Sequence, residues 1–270
     1  ATSRSEAGRP SALPELRLVR GEEASFEEVD LVFLCVPHGK AAPWAERALD
    51  AGARVVDLTA DHRPGSGREE GAAYGLADVD ADYPTGVQVA LHPLVHGGLV
   101  DLDRTVVVSA ASGVTGAGRT PKRELLFAEV AGDYRAYSTG NGHRHLREMR
   151  HSLPGAELLF QPHLLPIPRG ILETIYLPVR QGVAADDVRD AWEGVYAGHR
   201  TLQIHPHGVP SLAEVVRTDL LALGVAENRD VDRMLTVVVA LDNLGKGAAG
   251  QAVQNMNLML GFKPERGLRC

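Results

Sequence analysis

The sequence predicts two folded units of different class: an α/β unit with a parallel sheet, followed by an α+β unit with a mixed, largely antiparallel sheet. A strand–helix–strand pattern occupies residues 31–58, whereas the pattern after about residue 100 is helices followed mostly by strands. With 270 residues, 44% of them hydrophobic, the chain is long and apolar enough for two modest cores.

The first unit rests on three consecutive segments. The apolar run 31–36 ends at Pro37 and predicts a buried strand, 41–51 predicts a helix that stops at Gly52, and 54–58 predicts the next strand. A helix between two strands of one sheet predicts a parallel pair joined by a right-handed crossover.

A polar loop over 61–75 separates this unit from a helix over 84–96. Pro84 suits the first turn of that helix, and Asp82 or Tyr83 would cap it. A final helix over 246–260 fits either unit by its pattern alone.

The second unit opens with a strand over 104–110 and a glycine-rich turn over 112–118. Further segments predict three helices and three strands: helices over 122–131, 143–152 and 186–196, and strands over 156–163, 171–179 and 234–241.

Composition excludes several classes of function. A net charge of −7 without a basic run disfavours nucleic acid as a partner. No apolar run is long enough for a transmembrane helix, no signal-peptide pattern is present, and two cysteines cannot form a disulfide framework, which favours the cytoplasm. We predict no metal site, because His199, His205 and His207 lack a set of cysteine or carboxylate partners.

Two segments carry candidate chemistry. The backbone amides of the turn 112–118 could approach an anion, or the turn could simply join a strand to a helix; Arg119 directly after it is a fork-shaped donor for carboxylate or phosphate. His143 and His145 would point about 200° apart on a helix, so only one can face a site. Either could be a surface or capping residue, or an acid–base group near pH 7, and we favour His143.

Several strings in this sequence together resemble one enzyme family. They are SGVTGAGR at 112–119, GHRH at 142–145, PHLLP at 162–166 with RGIL at 169–172, and LDNLGKGAAGQAVQNMN at 241–257. In this order they are similar to the motifs of N-acetyl-gamma-glutamyl-phosphate reductases, which are related to aspartate-semialdehyde dehydrogenases.

The resemblance implies a Rossmann-type NADP-binding domain at 1–100 and 244–270, and a catalytic and dimerisation domain with a mixed sheet at 101–243. It implies NADPH-dependent reduction of a small-molecule acyl phosphate to an aldehyde through a cysteine thioester, and a homodimer or homotetramer.

The resemblance also assigns roles to individual residues. An arginine beside small hydroxyls at 2–4 would by itself equally fit a polar N-terminal tail, but its position in the family suits the 2′-phosphate of NADP. Lys246 would lie near the nicotinamide, or would simply be exposed at the start of a helix. The expected catalytic residues are His143 and His145, the substrate-binding residues are Ser112, Gly113, Arg119 and Arg144, and the cofactor-binding residues are Ser3, Arg4, Pro37, His38, Gly116 and Asn243.

The sequence departs from the family in two important ways. The family's N-terminal glycine-rich phosphate loop has no counterpart, and Asp82 stands where the family has its cysteine. Asp82 would cap a helix well but would be a poor nucleophile, and neither Cys270 nor Cys35, which we expect to be buried, matches the family's position. The region between Gly75 and Tyr83 and a loop near residue 10 also look short. Either the sequence omits parts of the natural polypeptide or the protein is a degenerate, inactive homologue; a related aminoadipyl-phosphate reductase is the third possibility.

Overall fold

The computed structural model describes residues 18–64, 66–68, 72, 83–118 and 122–270. The chain divides into two compact units, Ala1–Thr59 and Ala60–Cys270. Asp82, Ser3, Arg4 and Arg119, all singled out above, lie outside the described residues.

The described part of the first unit is a strand–helix–strand motif. Strand β1 is Leu31–Leu34, helix α1 is Ala42–Asp50 and strand β2 is Arg54–Asp57. The two strands pair in parallel, which confirms the predicted parallel pairing. Gly52 ends the helix with φ +83°, a conformation that glycine adopts without strain. Cys35 is exposed in the bend after β1, so the prediction that it would be buried was wrong.

A seven-stranded mixed sheet forms the centre of the second unit. Its spatial order is β4-β5-β3-β6-β9-β8-β7, with parallel pairing of β3 with β5 and of β7 with β8 and antiparallel pairing elsewhere. The strands are β3 Val106–Gly113, β4 Arg135–Ala136, β5 Leu158–Leu165, β6 Ile171–Pro178, β7 Leu202–Ile204, β8 Leu221–Glu227 and β9 Met234–Leu241.

Three helices pack on the sheet and enclose the main hydrophobic core. They are α2 Tyr83–His96, α4 His145–Ser152 and α5 Ala185–Tyr196. The remaining helices are α3 Phe127–Val130, α6 Leu212–Val215 and α7 Gly250–Met259. No helix of the described ranges is long and apolar enough to cross a membrane.

Helix α2 contains Pro93, which has no N–H to donate to the carbonyl of Val89. The Tyr196 hydroxyl donates to that carbonyl over 2.8 Å, and the Trp192 indole Nε1–H donates to the neighbouring carbonyl of Ala90 over 2.8 Å. Helix α5 thereby supplies the hydrogen bond to the Val89 carbonyl that the sequence of α2 cannot make for itself.

Several predicted boundaries need correction. The helix predicted over 122–131 is a 3-10 turn, Arg123–Leu125, followed by the four-residue α3, because Leu126 and Phe127 face solvent and only Val130 is buried. Without an apolar face to pack, a longer helix has little to stabilise it. The last helix starts at Gly250, after a π-helical turn over Gly245–Ala249. Strands β4, β7 and β8 were not predicted.

Candidate functional site

The candidate site lies where the ends of three neighbouring central strands of the seven-stranded sheet, β3, β6 and β9, come together. Ser112 near the end of β3 is in register with Ile171 at the start of β6, and Ile171 is in register with Leu241 at the end of β9. The loop after β3, the loop before β6 and the segment after β9 therefore lie next to one another.

The loop after β3 is fastened to the loop before β6 by its backbone. The amide of Val114 donates to the carbonyl of Ile167 over 2.9 Å, and both the amide and the hydroxyl of Thr115 donate to the carbonyl of Pro168. Gly113 has no room for a side chain, since a Cβ there would lie 2.7 Å from the backbone nitrogen of Arg169. This part of the predicted substrate loop is a rigid turn whose first amides bond within the protein.

Asn243, two residues after the end of β9, joins these two loops through its side chain. Its Oδ1 accepts the amide of Gly170 at 2.8 Å, and its Nδ2 donates to the Thr115 hydroxyl at 2.9 Å. Both polar atoms of the amide are thus engaged in holding the loops together.

Asp242, the residue before Asn243, is buried, and its carboxylate contacts groups from several of these loops. One carboxylate oxygen, Oδ2, faces Arg169 Nε at 2.7 Å and accepts the amide of Arg217, while Oδ1 accepts the amides of Leu244 and Gly245. Burial alone would raise the pKa of Asp242, but Arg169 and the three amides together lower it below its usual value. The carboxylate is therefore ionised and satisfied.

Ser112 and Gly116 complete the described part of the loop. Ser112 is buried and Gly116 is exposed, and a Cβ on Gly116 would lie 2.8 Å from the Ser112 Oγ. The glycine therefore allows the turn to fold back over the serine.

The histidine motif lies in the loop before α4 and at the start of that helix. The Nδ1 of His143 accepts the amide of His145 at 3.3 Å and so satisfies the first amide of the helix. Its ring is in edge contact with the rings of Tyr137, Phe160 and His145, at centroid distances of 5.7, 5.5 and 4.7 Å. Arg144 is exposed and His145 is buried.

Burial, followed by the charge of Arg144, lowers the pKa of His143 to about 4. The ring is therefore neutral at pH 7. Because Nδ1 accepts a backbone hydrogen bond, the ring proton of the neutral form resides on Nε2, which makes His143 a hydrogen-bond donor there.

The histidine motif and the serine loop contact different stretches of the sheet. Phe160, on which His143 packs, is in register with Val108, whereas Ser112 is in register with Leu164. Four residues along a strand are about 13 Å, so the two groups are separated by roughly that distance along the strands.

A buried carboxylate that sequence reasoning missed lies between these groups. Glu173 on β6 is in register with Ala110 and is fully buried. Its Oε2 lies against the first turn of α2, where Gly86 has no space for a Cβ. The signal in the sequence was an acid at an inward-facing position of an apolar strand.

Helix α4 carries a second missed carboxylate, one turn after His145. Glu148 is buried, and its Oε2 lies 3.3 Å from Nη1 of Arg63. Gln88 of α2 also donates to the backbone carbonyl of Glu148, over 3.4 Å. These contacts fix the inward side of α4.

The segment after β9 is also rich in glycine and opens a helix, but its glycines serve packing. Gly245 and Gly250 lie against the Thr218 carbonyl and the Asp219 carboxylate, which leave no room for a Cβ. Lys246 is buried, which is inconsistent with the exposed-lysine interpretation, and its Nζ donates to Gln254 Oε1 over 2.7 Å. Burial lowers the pKa of Lys246 to about 8.

In the first unit, the predicted cofactor residues Pro37 and His38 are exposed in the turn after β1. At the end of β2, Asp57 accepts the amide and the hydroxyl of Thr59 at 2.8 and 3.1 Å. Both segments follow the carboxyl ends of parallel strands, where α/β proteins bind dinucleotides. They fit part of a dinucleotide site, but the described residues of this unit contain no glycine-rich loop that could hold a pyrophosphate.

Comparison with known proteins places both regions in one enzyme group. Residues 2–86 match the family model of the semialdehyde dehydrogenase NAD binding domain. Residues 83–243 match the model of the semialdehyde dehydrogenase dimerisation domain. The predicted pairing of a dinucleotide-binding domain with a second domain of mixed sheet is confirmed.

Relatives similar to this chain over nearly its whole length are N-acetyl-gamma-glutamyl-phosphate reductases. That of Geobacter sp. (strain M21) is 37% identical over 309 aligned positions, covering 99% of this chain and 89% of the relative. The Nitrosospira multiformis protein is 38% identical and covers 97% and 87%. An alignment of 309 positions exceeds the 270 residues of this chain, so the relative has residues with no counterpart here.

Solved structures with the same fold are aspartate-semialdehyde dehydrogenases. Aspartate semialdehyde dehydrogenase II from Vibrio cholerae superposes with a TM-score of 0.76 at 18% identity, covering 96% of this chain and 88% of that one. A probable aspartate-semialdehyde dehydrogenase from Pseudomonas aeruginosa gives a TM-score of 0.71 at 20% identity, with the same coverage.

Proposed function

The chain belongs to the N-acetyl-gamma-glutamyl-phosphate reductase family, and we propose that the protein acts on N-acetyl-gamma-glutamyl phosphate in the NADPH-dependent step to the semialdehyde in arginine biosynthesis. The observation that carries the proposal is 37–38% identity over at least 97% of the chain to reductases of that name. The relatives favour the glutamyl substrate over an aminoadipyl one.

The geometry of the second unit supports a site for an acyl phosphate. In our proposal, the rigid turn around Ser112 and Gly113, with Arg119 after it, binds the α-carboxylate end of the substrate, away from its acyl phosphate. The neutral His143 donates a hydrogen bond from Nε2 to the oxygen that gains charge, and buried His145 and exposed Arg144 flank it. The spacing of about 13 Å along the strands leaves room for the carbon chain that joins the α-carboxylate to the acyl phosphate.

NADPH supplies the hydride in this chemistry. We propose that Ser3, Arg4, Pro37 and His38 contact the cofactor, within a domain made of residues 1–100 and 244–270, and that residues 101–243 form the catalytic and dimerisation domain. We propose Gly116 and Asn243 as further cofactor-binding residues.

The residue before Tyr83 decides whether these 270 residues can catalyse the reaction. Acyl transfer in the family needs a thiolate there, and the sequence has Asp82. We propose that the chain as it stands is inactive and that the full family reaction requires the segments that the relatives have and this sequence lacks.

The test is a set of matched variants assayed for phosphate- and NADP-dependent oxidation of N-acetylglutamate semialdehyde. We expect no turnover above background for the 270-residue chain or for Asp82→Cys alone. A chain into which the missing segments of a relative, including its cysteine, have been inserted should be active.

In the restored chain, a serine at the inserted cysteine position is the control for thiolate chemistry and should abolish turnover. His143→Ala should lower turnover by about 10²–10⁴-fold if its hydrogen bond acts in the transition state. Turnover by the unmodified chain would contradict the assignment of inactivity, and a restored chain specific for an aminoadipyl substrate would contradict the proposed substrate.

We also propose a homodimer, or a homotetramer built from it, formed through the open face of the seven-stranded sheet. The match to a dimerisation domain supports this, as do Leu159 on β5 and Tyr176 on β6, which are 45% and 43% exposed on that sheet. A cytoplasmic location is part of the proposal and agrees with two free cysteines. Sedimentation as a monomer at micromolar concentration would contradict the assembly.

A further inference from the structure

We propose that Asn141 is the positioning residue of the histidine motif. Its side chain makes the hydrogen bonds to β5 that the backbone of a neighbouring strand would make, and it thereby holds His143 in place. The inference rests on the proposed function only in that it takes the histidine motif to be part of the site. The contacts themselves are independent of that function.

The edge of β5 shows why an amide is needed at this position. Strand β4 covers this edge at His163 and Leu164, and the amide of Tyr137 continues the pairing to the carbonyl of Pro162 at 3.1 Å. Further along the same edge, the carbonyl of Leu158 and the amide of Phe160 need partners.

The Asn141 side chain satisfies both groups. Its Nδ2 donates to the Leu158 carbonyl over 3.1 Å, and its Oδ1 accepts the Phe160 amide at 2.8 Å. A primary amide has the same donor and acceptor as a peptide group, so Asn141 pairs with β5 as a residue of a parallel strand would.

The backbone around Asn141 explains why this fastening matters. Ser138, Gly140 and Asn141 have φ values of +45°, +67° and +61°, which are left-handed conformations that two non-glycine residues adopt only when neighbouring contacts hold them. Asparagine is among the residues that tolerate this region best. The loop is therefore bent sharply and is held on β5 by a side chain two residues before His143.

His143 depends on that placement. Its ring packs on Phe160, whose amide Asn141 binds, and on Tyr137 at the other end of the loop. Among the described residues, the titratable or charged groups next to the ring include Tyr137 on the loop and Arg144 and His145 at the start of α4. If the loop leaves β5, the ring loses its apolar cover while these neighbours in the chain remain.

The experiment measures the ring of His143 in Asn141→Gly, because glycine accepts the left-handed backbone and removes both hydrogen bonds. The ring nitrogens of all histidines are labelled with ¹⁵N, and His143 is assigned by the signal lost in His143→Gln. We expect the pKa of His143, about 4 in the parent chain, to move at least one pH unit toward the ordinary value of about 6.5.

Asn228→Gly is the matched control. Asn228 also makes two side-chain hydrogen bonds, from Nδ2 to the Met234 carbonyl over 2.9 Å and from the Thr236 hydroxyl to Oδ1 over 2.9 Å, but it lies in the β8–β9 connection. It should leave the His143 titration unchanged. Amide exchange at Phe160 is a second readout, expected to accelerate at least about fivefold in Asn141→Gly and not in Asn228→Gly.

An unchanged His143 titration in Asn141→Gly would overturn the proposal, and so would an equal shift in both variants, since that would report general loosening. Neither readout needs ligand or turnover. A failed enzymatic assay therefore leaves this inference standing, and an unchanged titration leaves the proposed reaction standing.

Discussion

Asp242→Asn tests whether the buried carboxylate holds the loops of the candidate site together. An asparagine has one acceptor oxygen, so its NH₂ group must face two of the donors that the carboxylate now accepts. In one orientation it faces Arg169 and the Arg217 amide; in the other it faces the Leu244 and Gly245 amides. Either way, two hydrogen bonds to a charged acceptor are lost.

Each such bond contributes about 1.5–3 kcal/mol. The Arg169 side chain is 28% exposed and can turn to water, which discounts its share. We therefore expect a loss of about 2–4 kcal/mol in the free energy of unfolding of the second unit. For a unit of this size that lowers Tm by roughly 5–15 °C.

Thermal unfolding followed by Trp192 fluorescence in a Trp44→Phe background reports the second unit, because the two tryptophans lie in different units. The control is Asp230→Asn at an exposed position. The pKa of Asp242 is lowered on folding, so its contribution is full above the unfolded value of 3.8 and disappears as pH falls through the folded value. The difference in Tm between the parent and Asp242→Asn should therefore become smaller at acidic pH. A Tm within about 1 °C of the parent at pH 7 would refute the reasoning.

Three further predictions concern the second unit. Tyr196→Phe should cost about 1–2 kcal/mol of unfolding free energy in urea titrations, because the Val89 carbonyl loses its donor. Exposed Tyr134→Phe should cost little, and equal midpoints for the two variants would contradict a stabilising role of the Tyr196 hydrogen bond. Gly250→Ala should lower Tm by several degrees because the Asp219 carboxylate fills the space, whereas Gly194→Ala in α5 meets no atom within 4 Å and should be neutral or stabilising; the reverse order would count against the packing argument. Burial lowers the pKa of Lys246 from its ordinary value of 10.5 to about 8, so between those values the unfolded state binds more protons than the folded state. From pH 8 to 10.5 the free energy of unfolding of the parent should therefore rise by up to about 3 kcal/mol relative to that of Lys246→Met. A difference between these two chains that does not change with pH would show that the amine is not buried in solution.

The regular elements with uninterrupted patterns could be predicted from the sequence. The strand Met234–Leu241 was predicted with its bounds, and α5 within one residue, because each has one apolar pattern over its whole length. Strand β8 was missed because Gly224 interrupts it. That glycine is needed since the Gly208 carbonyl would lie 2.6 Å from a Cβ, a close approach that only the folded chain reveals.

The sequence was enough to identify several residues of the candidate site, but not the residues that they contact. Ser112 and Asn243 were singled out as motif residues, but their partners lie on other segments, and the Asn243 hydrogen bonds join residues 73 and 128 positions away. The lowered pKa of His143 depends on burial that no local pattern reports. Glu173 and Asn141 were missed for the same reason, because each acts through a neighbour distant in sequence.

The proline in α2 has a consequence for the order in which the protein folds. The two donors that satisfy the Val89 and Ala90 carbonyls come from α5, 107 and 102 residues later in the chain. Until α5 docks, the Val89 carbonyl must stay hydrated, because burying it without a donor costs several times the thermal energy. Contacts local to α2 therefore cannot exclude water from the side of α2 that packs on α5. The core around that side forms only after the more than 100 residues between the paired groups have brought α5 against α2. Such non-local closure slows folding, so substitutions at Trp192 or Tyr196 that weaken docking should lengthen the time for which the apolar face of α2 stays exposed to other chains.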